Sequence, residues 1–344
     1  MTAPPALRGY AMPAEWVPHR ATWIAWPHQR SDWPGRFAPI PWVYGEIVRV
    51  LSRNERVRLL VRDASMERQA AGLLKKVGVD LTKVDFFRIP TDRVWTRDSG
   101  AIFVRNPSGK KIATHWRFNG WAKYPNHKKD DEVAGRIARA LRVPEYRVVV
   151  EGRDVVMEGG AIDVDGKGML LCTEECLLSE TQARNPGLGR EGTEKVFADV
   201  LGAKRVVWLG RGIVGDDTHG HIDDLARFVA PGRVLLCEEK SPRDENHAIL
   251  RENRERLRAA RLDVIPLPMP APIVFDRQRV PASYANFYIA NGVVIVPTFN
   301  DPNDRRALGV IADCFPDREV VGVHCVDFVW GLGTLHCATQ QEPT

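Results

Sequence analysis

Val234-Leu-Leu-Cys237 is a run of apolar residues suited to a buried strand, and the chain repeats it. Met169-Leu-Leu-Cys172 is nearly the same run. Val57-Arg-Leu-Leu-Val61, Lys111-Ile-Ala-Thr-His-Trp116 and Val293-Val-Ile-Val296 are of the same kind. Short apolar, β-branched runs of this length read as strands. Their starts lie about 55 to 65 residues apart, a period long enough for one supersecondary unit. Most are followed by a helix-like stretch and a second strand-like run: Arg147-Val-Val-Val150, Arg205-Val-Val-Trp208, Asp263-Val-Ile-Pro266 and Glu319-Val-Val-Gly-Val323. Modules too small to bury their own faces stack or repeat radially. The pattern therefore predicts one domain over residues 1–344, built from about five mixed α/β modules. An irregular α+β domain without symmetry is the other arrangement it allows.

Upstream, Ala21-Thr-Trp-Ile-Ala-Trp26 reads as a short buried strand ended by Pro27, and Asp32-Trp-Pro-Gly35 as a turn. Val43, Ile47, Val50 and Leu51 recur at helical spacing, which predicts a helix over 41–53.

Composition narrows the function. The 344 residues are 44% hydrophobic, enough for a sizeable core, and the net charge of +5 is spread along the chain. Beyond Lys128-Lys129 and the stretch near Arg251 there is no basic cluster, so nucleic acid is not an expected partner. No run approaches a membrane span and the first residues lack a signal-peptide core. Six cysteines without compact-scaffold spacing fit a reducing compartment, so a soluble, cytoplasmic protein is expected. A homo-oligomer is compatible with all of this. Gly159-Gly160 and Gly210-Arg-Gly212 are too short for a phosphate loop, and Cys172 and Cys176 lack a second ligand pair. No nucleotide cofactor and no structural zinc are expected.

Four polar stretches stand out. Trp95-Thr-Arg-Asp-Ser-Gly100 reads by default as a turn with an ion pair. In Met157-Glu-Gly-Gly-Ala-Ile-Asp-Val-Asp-Gly166, Asp163 and Asp165 suit the turn or its exposed face, whereas Glu158 has no such explanation. In Gly215-Asp-Asp-Thr-His-Gly-His-Ile-Asp-Asp224, an extended backbone would align Asp217, His219, His221 and Asp223 on one face. The fourth, Gly331-Leu-Gly-Thr-Leu-His-Cys337, delivers a thiol after a glycine turn, with His336 expected on the opposite face. Two chemistries suit this set. One is a metal site on His219, His221 and Asp223. The other is metal-free covalent catalysis by Cys337, with a histidine as acid/base and carboxylates gripping a cation. Acids dispersed over Asp98, Glu158, Asp217 and Asp223 favour the second, because a planar guanidinium matches several carboxylates at once.

These stretches resemble those of the agmatine deiminase and bacterial peptidyl-arginine deiminase family of guanidine-modifying enzymes. The matching pieces are Trp95-x-Arg-Asp-x-Gly100, Glu158-Gly-Gly160, Gly215-Asp-Asp-Thr-x-Gly-His-Ile-Asp223, Tyr284-Ala-Asn-Phe-Tyr-x-x-Asn-Gly292 and Gly333-x-x-His-Cys-x-Thr-Gln-Gln341. Trp23-x-x-Trp-Pro27 and Val296-Pro-Thr-Phe299 follow the same order. The resemblance implies a five-bladed α/β propeller with pseudo-fivefold symmetry. It implies Cys337 as nucleophile, His221 as general acid/base, and Asp98, Glu158 and Asp223 as the surrounding carboxylates. Trp95, Asp217 and Gly333 would line the substrate-binding pocket, with Asn286 in support. No metal or cofactor is implied. The expected reaction is hydrolysis of a small guanidine, agmatine before free or peptidyl arginine. The chain departs from the family pattern at Ala101, Leu332, Asp163, His219 and the Trp121–Asp131 segment.

Overall fold

The computed structural model describes residues 3–344. Five sheets share one internal order. In each, a central strand pairs antiparallel on one side and parallel on the other. The central strands are His19–Ala25, Lys111–His115, Met169–Thr173, Arg233–Glu238 and Val293–Thr298. Parallel neighbours require a crossover. A helix supplies it every time: Ile40–Leu51, Val133–Leu141, Gly189–Leu201, Glu245–Ala259 and Asn303–Cys314. Among the described residues no strand joins one of these sheets to the next.

The apolar runs explain the central strands. Val293, Val294, Ile295 and Val296 are all fully buried, and each such side chain removed from water contributes about 1.5–3 kcal/mol. Helix starts are marked by capping carboxylates. Asp63 accepts the Met66 N–H at 2.9 Å before Ala64–Lys76, and Asp244 accepts that of Asn246 at 2.9 Å before Glu245–Ala259.

All five expected runs are strands, and residues 40–51 are helical; four of the runs are central strands, whereas Val57–Val61 lies in Arg56–Val61, the parallel neighbour of His19–Ala25. Arg147-Val-Val-Val150 is corrected. The parallel strand is Glu145–Arg147, and Val149–Val150 instead pairs with Arg153–Asp154. Glu151 and Gly152 both have positive φ, the backbone of a tight hairpin turn, and this turn takes the chain out of the sheet.

One sheet has a fourth strand, and one of its edges matters most for function. Thr339–Pro343 pairs antiparallel with His19–Ala25, placing Gln340 opposite Trp23. The strand that begins two residues after Cys337 is thereby fixed to the first sheet. Thr96 clamps the junction, accepting the Ala25 N–H at 3.1 Å and donating to the Ala338 carbonyl at 3.2 Å.

Candidate active site

Cys337 opens onto a cavity of about 300 Å³. Asp98, Trp95, Trp121, Asp217 and Gly333 share its wall. Gly333 is required there, since a Cβ would lie 2.9 Å from the Trp95 ring and 3.1 Å from the Cys337 Cβ. Trp95 stacks on Phe328 with ring centroids 6.0 Å apart, and Phe328 in turn stacks on Trp33. Trp95 is the member of this stack that faces the cavity, with Phe328 and Trp33 packed behind it.

Behind the wall lies a buried polar ring. His221 is 1% exposed; its Nδ1 is 3.9 Å from Asp98 and 4.0 Å from Asp223, and its Nε2 is 3.8 Å from Glu158. Those distances are contacts rather than hydrogen bonds. Both imidazole nitrogens, Glu158 Oε2 and Asp223 Oδ1 are buried without a hydrogen-bond partner. Gly160 makes the ring possible: a Cβ there would stand 2.6 Å from His221 Nδ1 and 2.9 Å from Asp98 Oδ1. Its N–H donates to Asp98 at 3.0 Å.

The electrostatics follow from burial and crowding. Burial pushes the Cys337 thiol well above its usual range, and Asp223, Asp224 and Asp98 push it further. Burial, with Asp223 and Glu158 close by, also lifts Asp98 to about 6, although His221 pulls the other way. Burial opposes charge on His221, but Asp98 first, then Cys176 and Glu158, hold it well above 6.5. Glu158 goes down to about 2, because Arg184 and His221 outweigh its desolvation. Burial and the crowded acids thus favour a neutral thiol and a protonated imidazole. A cation entering beside Cys337 offsets the field that keeps the thiol protonated.

Arg184, Trp121 and Glu15 help hold this ring though they did not stand out in the sequence, and Asn286 and His336 act with them. Arg184 donates to Glu158 at 2.9 Å and to the Thr218 carbonyl at 2.5 Å. Trp121 donates its Nε1–H to Asp98 at 2.9 Å, so a segment noted only as a departure reaches the centre. Asn286 organises the thiol turn: its Nδ2 lies 3.0 Å from both Cys337 Sγ and Asp224 Oδ1. Its Oδ1 accepts from Thr334 at 2.8 Å and from the His336 N–H at 3.0 Å. His336 faces Asp223 at 2.6 Å through one ring nitrogen and Glu15 at 2.8 Å through the other. Burial alone would raise Glu15, but Arg227, His336 and Arg97 hold it well below the usual carboxylate range.

Four expectations are corrected. Residues 217–223 do not form an extended face. The Asp216 carboxylate accepts the N–H groups of Thr218, Gly220 and His221, each at 2.8 Å, and His219 has φ of 67°. The loop curls, so His221 is buried while His219 points elsewhere, 3.2 Å from Ser179. The proposed ligand set of His219, His221 and Asp223 is therefore not assembled. Among the described residues, the three-residue groups with ligand spacing are Glu158, Cys176 and His221, and Asp223, Asp224 and Cys337. Asp165 does serve the turn, accepting the N–H groups of Lys167 and Met169, but Asp163 is neither in the turn nor on an exposed face: it is buried and accepts the Phe228 N–H at 2.6 Å. The Trp95–Gly100 stretch is more than a turn with a local ion pair. Thr96–Ser99 is a short helix, and its Arg97 is buried on Glu15, 3.1 Å away.

The family model described as Porphyromonas-type peptidyl-arginine deiminase matches residues 11–343. The agmatine deiminase of Stutzerimonas stutzeri is 35% identical over 100% of this chain and 98% of its own. Among solved structures, the agmatine deiminase of Enterococcus faecalis superposes with a TM-score of 0.92 at 31% identity, covering 100% of this chain and 98% of that one. A cysteine-to-serine variant of the C. jejuni agmatine deiminase with substrate bound gives 0.87 at 29% identity, covering 97% and 96%.

Proposed function

This chain belongs to the Porphyromonas-type peptidyl-arginine deiminase family, and we propose that it hydrolyses agmatine to N-carbamoylputrescine and ammonia. The observation that carries the reading is the pair of buried carboxylate oxygens without donors, Glu158 Oε2 and Asp223 Oδ1, in a ring beside the Cys337 thiol. Unpaired buried acceptors are costly, and a guanidinium supplies planar N–H donors and the balancing charge together. Full-length similarity to agmatine deiminases supports agmatine as the guanidine.

In this reading Asp98, Glu158 and Asp223 orient the guanidinium, which is the positional part of catalysis. Its charge favours ionisation of Cys337, whose proton passes to solvent, and the thiolate forms a C–S bond to the guanidinium carbon. His221 gives its proton to one nitrogen, the C–N bond breaks, and ammonia leaves a covalent thiouronium. Water then loses a proton to neutral His221 and adds to that carbon. The C–S bond breaks, the hydroxyl proton passes to the departing sulfur, and the neutral ureido product leaves with Cys337 returned to the thiol. Trp95, Gly333 and Asp217 border the substrate, and Asn286 steadies the thiol turn. No step calls for a metal or cofactor.

The same proposal covers the architecture and compartment. The five sheets of like order are read as blades of one catalytic domain arranged about a pseudo-fivefold axis. The pairing of Thr339–Pro343 with His19–Ala25, which joins late residues to early ones in one blade, supports it. A cytoplasmic location is supported by six cysteines that are all unpaired. No helix among the described residues is long and apolar enough to cross a membrane.

The test is ammonia release by purified, chelator-treated protein offered agmatine, arginine and an arginyl peptide. Release from agmatine is expected, and its loss in Cys337→Ala. Release only from arginine or the peptide would overturn the substrate, and full activity in Cys337→Ala would overturn the mechanism.

A further inference from the structure

Away from the thiol, two carboxylates border the cavity: Asp217 and Asp32. Asp217 already has a partner on each oxygen, Lys123 on one and the Tyr124 hydroxyl on the other at 2.6 Å. Asp32 does not. Its side chain is 1% exposed, Oδ1 accepts from Arg93 Nη1 at 2.6 Å, and Oδ2 is buried with no partner. Arg93 is itself pinned. It donates to Asn126 at 3.1 Å, lies 4.1 Å over the Tyr124 ring, and has its backbone N–H held by Asp130. Its Nη1 reaches Asp32 Oδ1 alone, and its buried Nε has no partner. Trp95, Trp121 and Trp330 line the same cavity, a surface suited to methylene groups.

We propose that Asp32 Oδ2 receives the distal ammonium of the substrate and is the residue that selects for a terminal amine; this rests on the agmatine reading. A carboxylate with two acceptor oxygens binds one cation on each, and Arg93 occupies only one. Burial lifts the Asp32 carboxyl to about 6 even with Arg93 beside it, as expected of a site short of positive charge. Asp217, the acid picked out by its motif, already has its charge paired by Lys123 and a partner on both oxygens.

The test measures binding by calorimetry in full-length Cys337→Ala protein, where nothing turns over. The ligands are agmatine, n-butylguanidine, which lacks only the amine, and 4-guanidinobutyrate, which carries a carboxylate at that end. Agmatine should bind at least about tenfold more tightly than either. Asp32→Asn should erase that preference while leaving n-butylguanidine within about threefold, which also shows that the pocket is intact. Equal weakening of agmatine and n-butylguanidine by Asp32→Asn would overturn the proposal, as would a preference for 4-guanidinobutyrate, which would assign that end to Arg93. Ammonia release by the wild type tests the reaction separately, so the two readings fail independently.

Discussion

Gly160→Ala adds one methyl group to the centre of the site. The glycine is not in the left-handed region of backbone space, so alanine itself is tolerated by the chain. The methyl would stand 2.6 Å from His221 Nδ1, 2.9 Å from Asp98 Oδ1 and 3.0 Å from Asp223 Oδ2. Ordinary contact begins near 3.4 Å, so His221 must retreat by about 0.8 Å. All three neighbours are buried and none ends in a flexible tail. Overpacking of this kind costs about 1–3 kcal/mol of stability. A displacement approaching 1 Å in a catalytic group lowers the rate by about a hundredfold. Steady-state kinetics on agmatine, with urea unfolding in parallel, reads both numbers. Gly72→Ala is the control, because its Cβ meets nothing within 4 Å in the helix Ala64–Lys76. That change should stabilise by about 0.5–1 kcal/mol and leave the rate alone. If Gly160→Ala keeps kcat within about threefold of wild type, His221 and Asp98 do not act from these positions.

Trp121→Phe keeps the ring but removes the N–H that Asp98 accepts, and kcat/KM should drop by about tenfold or more; an unchanged value would make Trp121 mere wall. Asp98, at about 6 when folded against an ordinary 3.8, stabilises the fold fully below pH 3.8 and loses that contribution as pH rises through 6. The loss is about 3 kcal/mol, so urea unfolding of Asp98→Asn should show a shallower decline between pH 4 and 7 than wild type; parallel curves would contradict this. Treatment with EDTA should leave ammonia release unchanged. Loss of activity that zinc restores would instead point to Glu158, Cys176 and His221 as ligands.

The modules and the main polar residues were legible because each is local. Val234–Cys237 announces a buried strand by its own composition, and Glu158-Gly-Gly160 and Gly333 announce close approach by lacking side chains. Arg184, Trp121 and Asp32 were not legible, since nothing near them in sequence says that a carboxylate or cavity will meet them. Glu15 is the extreme case, with partners at Arg97, Arg227, Ile289 and His336. The loop at 217–223 misled for a different reason. Alternation is a rule about extended backbone, and a single carboxylate, Asp216, diverts three N–H groups that a strand would have used.

The docking of Thr339–Pro343 on His19–Ala25 has a consequence for biosynthesis. Trp23 and Glu342, bonded at 3.2 Å, are 319 residues apart. While the chain is being translated, one edge of the first sheet waits unpaired, a surface that invites wrong partners. The thiol is held in its working position only after that late strand zips into place. A nascent chain thus carries every carboxylate of the ring long before it carries the Cys337 thiol, and the two come together only once Thr339–Pro343 pairs with the first sheet.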